Sequence, residues 1–339
     1  MSIHTEMQAT IEQMVQKGKG ILAADESAPT IEKRFNAINV ESTEENRRFW
    51  RSLLITTPNL GDYISGIIMF EETLIQKDND GRLLPMAAEQ QGIVPGIKVD
   101  KGKIPLVNTT GDMITQGLDG LADRLKVYKD QGARFAKWRE VYPIETHTPS
   151  RLGIDANAEV LARYAAICQS MGIVPIVEPE VLIDGDHSIE RCAEVIEAVQ
   201  HAVYHALHRY AVVLEHTILK PSMVTPGKSY ATRANPEQVA EQTIKVLRRT
   251  VPAAVPSINF LSGGQSDEEA TANLNAMNAG NPQPWELSFS YGRALQQPAL
   301  KAWQGKQENR EAAQQALFKR AQLNGKARYG EYTVDMENR

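Results

Sequence analysis

Short, almost continuous apolar runs alternate with longer segments of helical period through nearly the whole chain. Eight runs predict strands: 20–24 (GILAA), 66–70 (GIIMF), 96–99 (GIKV), 133–137 (ARFAK), 173–177 (IVPIV), 211–214 (AVVL, continuing toward Lys220), 257–261 (SINFL) and 285–289 (WELSF). Runs that lack polar alternation suit strands covered on both faces, as in a buried parallel sheet. The intervening helical period is clear in AEVLARYAAICQSMG from Ala158, with Gly172 as a stop, and in IERCAEVIEAVQHAVYHALHRY from Ile189. A third helix, NPEQVAEQTIKVLRRTV, has Asn235 to cap it and Pro236 in its first turn. Eight strand–helix steps, with no Gly-x-Gly-x-x-Gly turn after any strand, predict an α/β fold: a single (β/α)8 TIM barrel, not an open dinucleotide-binding sheet. No linker or repeat divides the 339 residues, so one domain, 1–339, is expected. From Trp303 a polar helix leads into a tail, 327–339, expected to be mobile.

Composition narrows the partners. The chain is 42% hydrophobic and 23% charged, which is ordinary for a globular protein. Its net charge is -5 and it has no basic run, so neither nucleic acid nor an anionic membrane is expected to bind. The two cysteines, Cys168 and Cys192, fall inside predicted helices and cannot build a disulfide framework. A reducing, cytoplasmic setting follows. No apolar run approaches the length of a membrane span, and the first twenty residues lack an apolar core or a cleavage site.

A (β/α)8 barrel carries its active site at the C-terminal ends of the strands. Asp25 and Ser27, Glu71, Lys98, Lys137 with Arg139, Glu178 with Glu180, and Lys220 stand at those positions, followed by Ser262-Gly263-Gly264 and Ser290-Tyr291-Gly292-Arg293. A lysine at a strand end ordinarily snorkels to solvent. Lys220, however, closes an apolar stretch and would share the mouth with Lys98 and Lys137. Burial and like charge both favour an uncharged amine, the form that attacks a ketone to give a Schiff base. Asp25, Glu178 and Glu180 could move the protons. Alternatively, the two glutamates are solvated loop groups and Asp25 is a helix N-cap. Side chains alternate along an extended chain, so Glu178 and Glu180 can face the mouth together. The two glycine-rich turns lead from strands into helices, where backbone N–H groups gather to bind phosphate, and Arg293 adds a charge-assisted contact. His201, His205 and His208 have a spacing that can hold a metal, but their helix precedes strand six on the barrel exterior, so a solvated face is expected.

GILAADES, STEENRRFWR, GIKVDKG, MITQGLDGL, FAKWR, IVPIVEPE, ILKPSMVTPG, FLSGGQS and SFSYGRALQ together resemble the class I fructose-bisphosphate aldolases, collinearly from about Glu6 to Tyr332. The resemblance implies a glycolytic lyase that reversibly splits fructose 1,6-bisphosphate into dihydroxyacetone phosphate and glyceraldehyde 3-phosphate. It implies Lys220 as the Schiff-base lysine, Glu178 as the acid/base of carbinolamine dehydration, and Asp25, assisted by Lys137, as the acceptor of the C4 hydroxyl proton. Ser262, Gly263, Gly264, Ser290, Gly292 and Arg293 would surround the C1 phosphate. Ser27, Arg34 and Lys98, with Arg139 nearby, would hold the rest of the sugar and the C6 phosphate. A metal-dependent aldolase uses a cation as its electron sink; here the iminium serves, so no metal or other cofactor is expected. The family also implies a cytosolic homotetramer.

The chain departs from the family pattern in three places. ESAPT stands where Glu-Ser-Thr-Gly-Ser is frequent, keeping a hydroxyl at Thr30 while Pro29 stiffens the turn. His216 replaces a frequent glycine in LEHTILK, which should set a bulky titratable group near the nucleophile. The end, YTVDMENR, lacks a terminal tyrosine; either Tyr329 or Tyr332 substitutes or other groups do that step, and truncation after Lys326 is expected to slow turnover without preventing the Schiff base. Rival readings are a Schiff-base aldolase for another ketose phosphate, such as sedoheptulose bisphosphate or fructose 1-phosphate, and an aldolase-like scaffold.

Overall fold

The computed structural model describes residues 2–338. Eight parallel strands close into a barrel: β1 (Gly20–Ala24), β2 (Ile64–Met69), β3 (Val94–Lys98), β6 (Phe135–Tyr142), β7 (Val174–Val181), β8 (Ile218–Leu219), β9 (Ser257–Phe260) and β10 (Glu286–Tyr291). β4 (Lys103–Pro105) and β5 (Met113–Thr115) form a separate antiparallel hairpin between β3 and β6, which no run of the sequence announced.

Several expected strands shift. The chain at 211–214 is not extended: Ala211 takes φ 51 and Leu214–His216 forms a 3-10 turn, so the sixth barrel strand is only Ile218–Leu219. β6, β7 and β10 run past their expected ends, so Arg139, Glu178, Glu180 and Ser290 are strand residues and not loop residues. Polar side chains hid these extensions, because the mouth of a barrel is where strands exchange apolar inward positions for charged ones. The helix expected from Ala158 begins earlier, at Arg151, capped by Ser150. The helix at Pro236–Thr250 has the anticipated Asn235 cap, completed into a capping box by Gln238.

Two apolar cores result. The larger lies between the outer face of the barrel and its helices. The smaller fills the barrel's N-terminal end with Ile21, Ala23, Ile68, Val94, Phe135, Val174, Ile176 and Ile218, plugged by Met7, Ile11 and Met14 of the helix Ile3–Met14. The Phe135 ring lies so close to β3 that a Cβ on Gly96 would come within 2.3 Å of it, which requires glycine there. Strand side chains alternate with period two. Four inner-face series that start apolar at the plug therefore end at the mouth with polar groups: 21 and 23 lead to Asp25, 135 to Lys137 and Arg139, 174 and 176 to Glu178 and Glu180, and 218 to Lys220.

Part of the segment 327–339, expected to be mobile, packs on the body of the protein, while Arg339 lies outside the described residues. Tyr332 is buried, and Glu337 Oε1 lies 2.6 Å from Arg320. Tyr329 packs beside Gly18, ahead of β1, at the end of the barrel remote from the mouth. His216 lies at that same end, its ring 5.7 Å from that of His4. The expectation that it crowds Lys220 is therefore incorrect: an extended chain advances about 3.3 Å per residue, and three residues lie between the two. His201, His205 and His208 are exposed on the outer side of the helix Ile189–Arg209. Both cysteines are buried and free.

Candidate active site

At the mouth, four charged side chains form one chain of ion pairs. Lys137 Nζ lies 2.8 Å from Asp25 Oδ2 and 3.3 Å from Glu178 Oε2. The other oxygen of Glu178 lies 3.3 Å from Lys220 Nζ. Lys137, Glu178 and Lys220 are all buried, so these attractions are little screened by solvent. Burial works against the charge of Lys137, yet Asp25 and Glu178 raise the ammonium well above the usual lysine range. Burial alone would likewise raise Asp25, but Lys137, Lys220 and Lys98 outweigh it and hold this carboxylate far below its ordinary value. Asp25 is no helix cap: Ser27 occupies the cap position of the helix Ala28–Asn36.

The lysines expected to crowd one another are each matched to a carboxylate. Lys98 bonds Asp100 at 2.7 Å, Lys137 has Asp25, and Lys220 has Glu178. Glu180 does not join the chain; it pairs with Arg139, two residues along the same inner face. Glu71 stands apart, at the start of the short helix Glu71–Ile75, bonded to Lys101 at 2.8 Å and to the Tyr128 hydroxyl at 2.9 Å.

The turn after β9 puts Gly263 and Gly264 in the left-handed region, φ 53 and 88, between buried Ser262 and the Ser266-capped helix Asp267–Asn278. Among the described residues their N–H groups have no protein acceptor. The buried Ser290 hydroxyl of β10 also has no hydrogen-bond partner. Gly292 precedes the helix Arg293–Trp303, whose first residue, Arg293, is exposed. Arg34 reaches this same edge: its guanidinium comes within 3.7 Å of where a Cβ on Gly292 would stand. Arg34 is thus brought to the glycine turn it was not assigned to, with Ser27 and Lys98 elsewhere on the rim. The Ser27 hydroxyl lies 3.2 Å from that of Thr30.

Sequence reasoning missed a second layer. Glu26, next to Asp25, is buried and bonded by Arg34, by Arg51 and, at 2.8 Å, by Gln296. Burial raises this carboxyl, but the two guanidinium groups hold it below the usual range. Arg51 is 1% exposed and also binds the carbonyls of Ala24 and Glu26, so it grips the backbone on either side of Asp25. The available signal was the third arginine of STEENRRFWR, which falls on the buried face of an amphipathic helix. Glu140 was missed too; it faces outward from β6, accepting from Trp138 Nε1 at 2.8 Å and from Thr115 N–H at 3.0 Å.

The Lys220 amine, the Glu178 carboxylate that bridges it to Lys137, and Asp25 thus meet at a mouth that also carries two glycine turns. The model of the family described as "Fructose-bisphosphate aldolase class-I" matches residues 6–339. The chain is 57% identical to the Arabidopsis thaliana protein named fructose-bisphosphate aldolase 4, cytosolic, covering 94% of this chain and 82% of that one. It is 56% identical to the cytoplasmic isozyme of Spinacia oleracea, over 96% and 92% of the two chains. Among solved structures, Plasmodium falciparum fructose-bisphosphate aldolase, in a ternary complex with TRAP and a small-molecule inhibitor, superposes with a TM-score of 0.96. That protein is 51% identical, over 98% of this chain and 96% of the other.

Proposed function

The chain belongs to the class I fructose-bisphosphate aldolase family, and from that premise we propose that it is a lyase cleaving fructose 1,6-bisphosphate reversibly through a Schiff base on Lys220. The observation that carries this reading is the sequence of contacts Lys220–Glu178–Lys137–Asp25, whose first three members are buried.

In the proposed cycle the Lys220 amine adds to the C2 carbonyl, giving a carbinolamine. Glu178, 3.3 Å from that amine, takes a proton from the Lys220 ammonium before the addition and returns it to the departing hydroxyl, so that loss of water leaves an iminium. Asp25 takes the C4 hydroxyl proton, the C3–C4 bond breaks, and its electron pair enters the iminium to form an enamine. Glyceraldehyde 3-phosphate departs as the aldehyde. Protonation of the enamine at C3 and hydrolysis then release dihydroxyacetone phosphate and restore the amine. Lys137 keeps Asp25 ionised and aimed. Ser262, Gly263, Gly264, Ser290, Gly292 and Arg293 take the C1 phosphate, with Arg34 beside them. Ser27, Lys98 and Arg139 face the remainder of the sugar, and Glu180 orients Arg139.

The relatives named cytosolic and cytoplasmic support a cytoplasmic enzyme. Among the described residues no helix is long and apolar enough to cross a membrane. A homotetramer is the assembly proposed by family membership.

Borohydride reduction in the presence of dihydroxyacetone phosphate, followed by peptide mass analysis, tests the reading. The expected result is one adduct on Lys220, absent from Lys220→Met. A label elsewhere, or sugar-bisphosphate cleavage surviving Lys220→Met, overturns it.

A further inference from the structure

We propose that Lys228 is a further phosphate-binding residue, gripping from the β8 side the same anion that the Ser262–Gly264 turn receives. This rests on the proposed aldolase reading and deepens it, because no feature of the sequence pointed to Lys228.

The chain after β8 is stitched to the chain after β7. Gly227 N–H donates to His187 O at 2.8 Å, Lys228 N–H to Ile183 O at 2.9 Å, and Ser229 N–H to Gly185 O at 2.9 Å. The two backbones touch so closely that a Cβ on Gly227 would lie 2.4 Å from Gly185 O. Lys228 is therefore projected from a braced strap and not from a free loop. Its side chain leads to the neighbouring turn: a Cβ on Gly264 would meet Lys228 Nζ at 2.8 Å and Cε at 3.1 Å. The ammonium thus stands over the second glycine of a turn whose N–H groups have no protein acceptor among the described residues.

Its charge is weakly matched. The carboxylate paired with it, Asp184, is 3.5 Å away, and that side chain is 75% exposed. The other mouth lysines contrast with this: Lys98 and Lys137 hold carboxylates at 2.7 and 2.8 Å. Arg34 and Arg293 approach from the β10 side of the site and Lys228 from the β8 side. An anion on the turn would sit between cations, and a flexible ammonium adds attraction without fixing geometry. Lys228 is half-exposed, so its contribution is to affinity and is moderated by solvent.

Lys228→Gln removes the charge and leaves a slightly shorter, neutral polar side chain. The KM for fructose 1,6-bisphosphate and the inhibition constant of inorganic phosphate should both rise roughly 3- to 10-fold, with kcat within about twofold and thermal stability unchanged. Lys228→Arg should restore both constants. The proposal is overturned if Lys228→Gln leaves KM and phosphate inhibition at wild-type values, or lowers kcat alone. Should the wild-type protein fail to cleave the sugar, the aldolase reading has failed instead. Calorimetric binding of inorganic phosphate to the wild type and Lys228→Gln then still decides the role of Lys228: equal affinities reject it.

Discussion

Glu178 Oε1 lies 3.3 Å from Lys220 Nζ in a setting closed to solvent. The second oxygen, equally distant from Lys137, ties that amine to the pair that holds Asp25. In the proposed cycle, the carboxylate that would dehydrate the carbinolamine is thereby coupled to the acid that would accept the C4 proton. A proton delivered at one end changes the charge felt at the other, because buried charges a few ångströms apart interact strongly.

Glu178→Gln should therefore slow chemistry more than binding. The expected loss in kcat is roughly 10²- to 10⁴-fold, the usual worth of a positioned acid/base. Because Lys220 remains, borohydride should still trap an adduct, but more slowly. The variant also leaves two buried cations short of a carboxylate, so its melting temperature should fall. Rapid-quench trapping beside a thermal scan separates the effects; wild-type turnover would remove Glu178 from the chemistry.

Asp25→Asn should lose kcat by a similar factor while KM changes little. Its stability effect has a sign. The folded protein holds Asp25 well below its ordinary value, so the stability it contributes is complete above the unfolded value of about 3.9 and is lost as pH falls through the folded one. The wild-type advantage over Asp25→Asn in thermal unfolding should be constant from pH 7 to pH 5 and shrink at more acidic pH. An advantage that instead grows under acid would mean the charge pairing is misread.

The barrel and the amines were legible in the sequence for one reason: apolar runs ending in charged residues mark strands that open into a mouth. What was illegible came from the same alternation. Arg139, Glu178 and Ser290 read as loop residues because polarity alone cannot distinguish a strand's charged inner face from its exit. The β4–β5 hairpin is short and its first strand is exposed, so it has no apolar signature. Arg51 and Glu26 stay hidden for a different reason: each is charged, and only the fold reveals that the charges neutralise each other out of water.

That pairing makes Arg51 a positioning residue with a measurable signature. Arg51→Lys cannot span the Ala24 carbonyl, the Glu26 carbonyl and the Glu26 carboxylate at once, because an ammonium lacks the guanidinium fork. Unfolding free energy should drop by about 3 kcal/mol, the cost of leaving a buried charge poorly matched. Since the backbone beside Asp25 loosens, kcat should fall while the Schiff base on Lys220 still forms at its normal rate. Equal losses in trapping and turnover would point to general damage and not to Asp25.

Glu140 offers the sharpest test of the fold's electrostatics. It is fully buried outside β6, and burial pushes its carboxyl up to about 7 against the bonds from Trp138 and Thr115, which favour the ionised form. In the unfolded chain the group ionises near 4.3. The folded state therefore keeps the proton longer, and the stability gained from this group is complete at pH values below the unfolded one and is lost as pH rises through 7. Glutamine resembles the protonated acid and carries no charge to desolvate. Relative to the wild type, Glu140→Gln should thus gain on the order of 1–3 kcal/mol between pH 5 and pH 8. Parallel melting-temperature profiles for the two proteins over that range would show that Glu140 is ionised in the fold throughout, with the Trp138 and Thr115 bonds outweighing its burial.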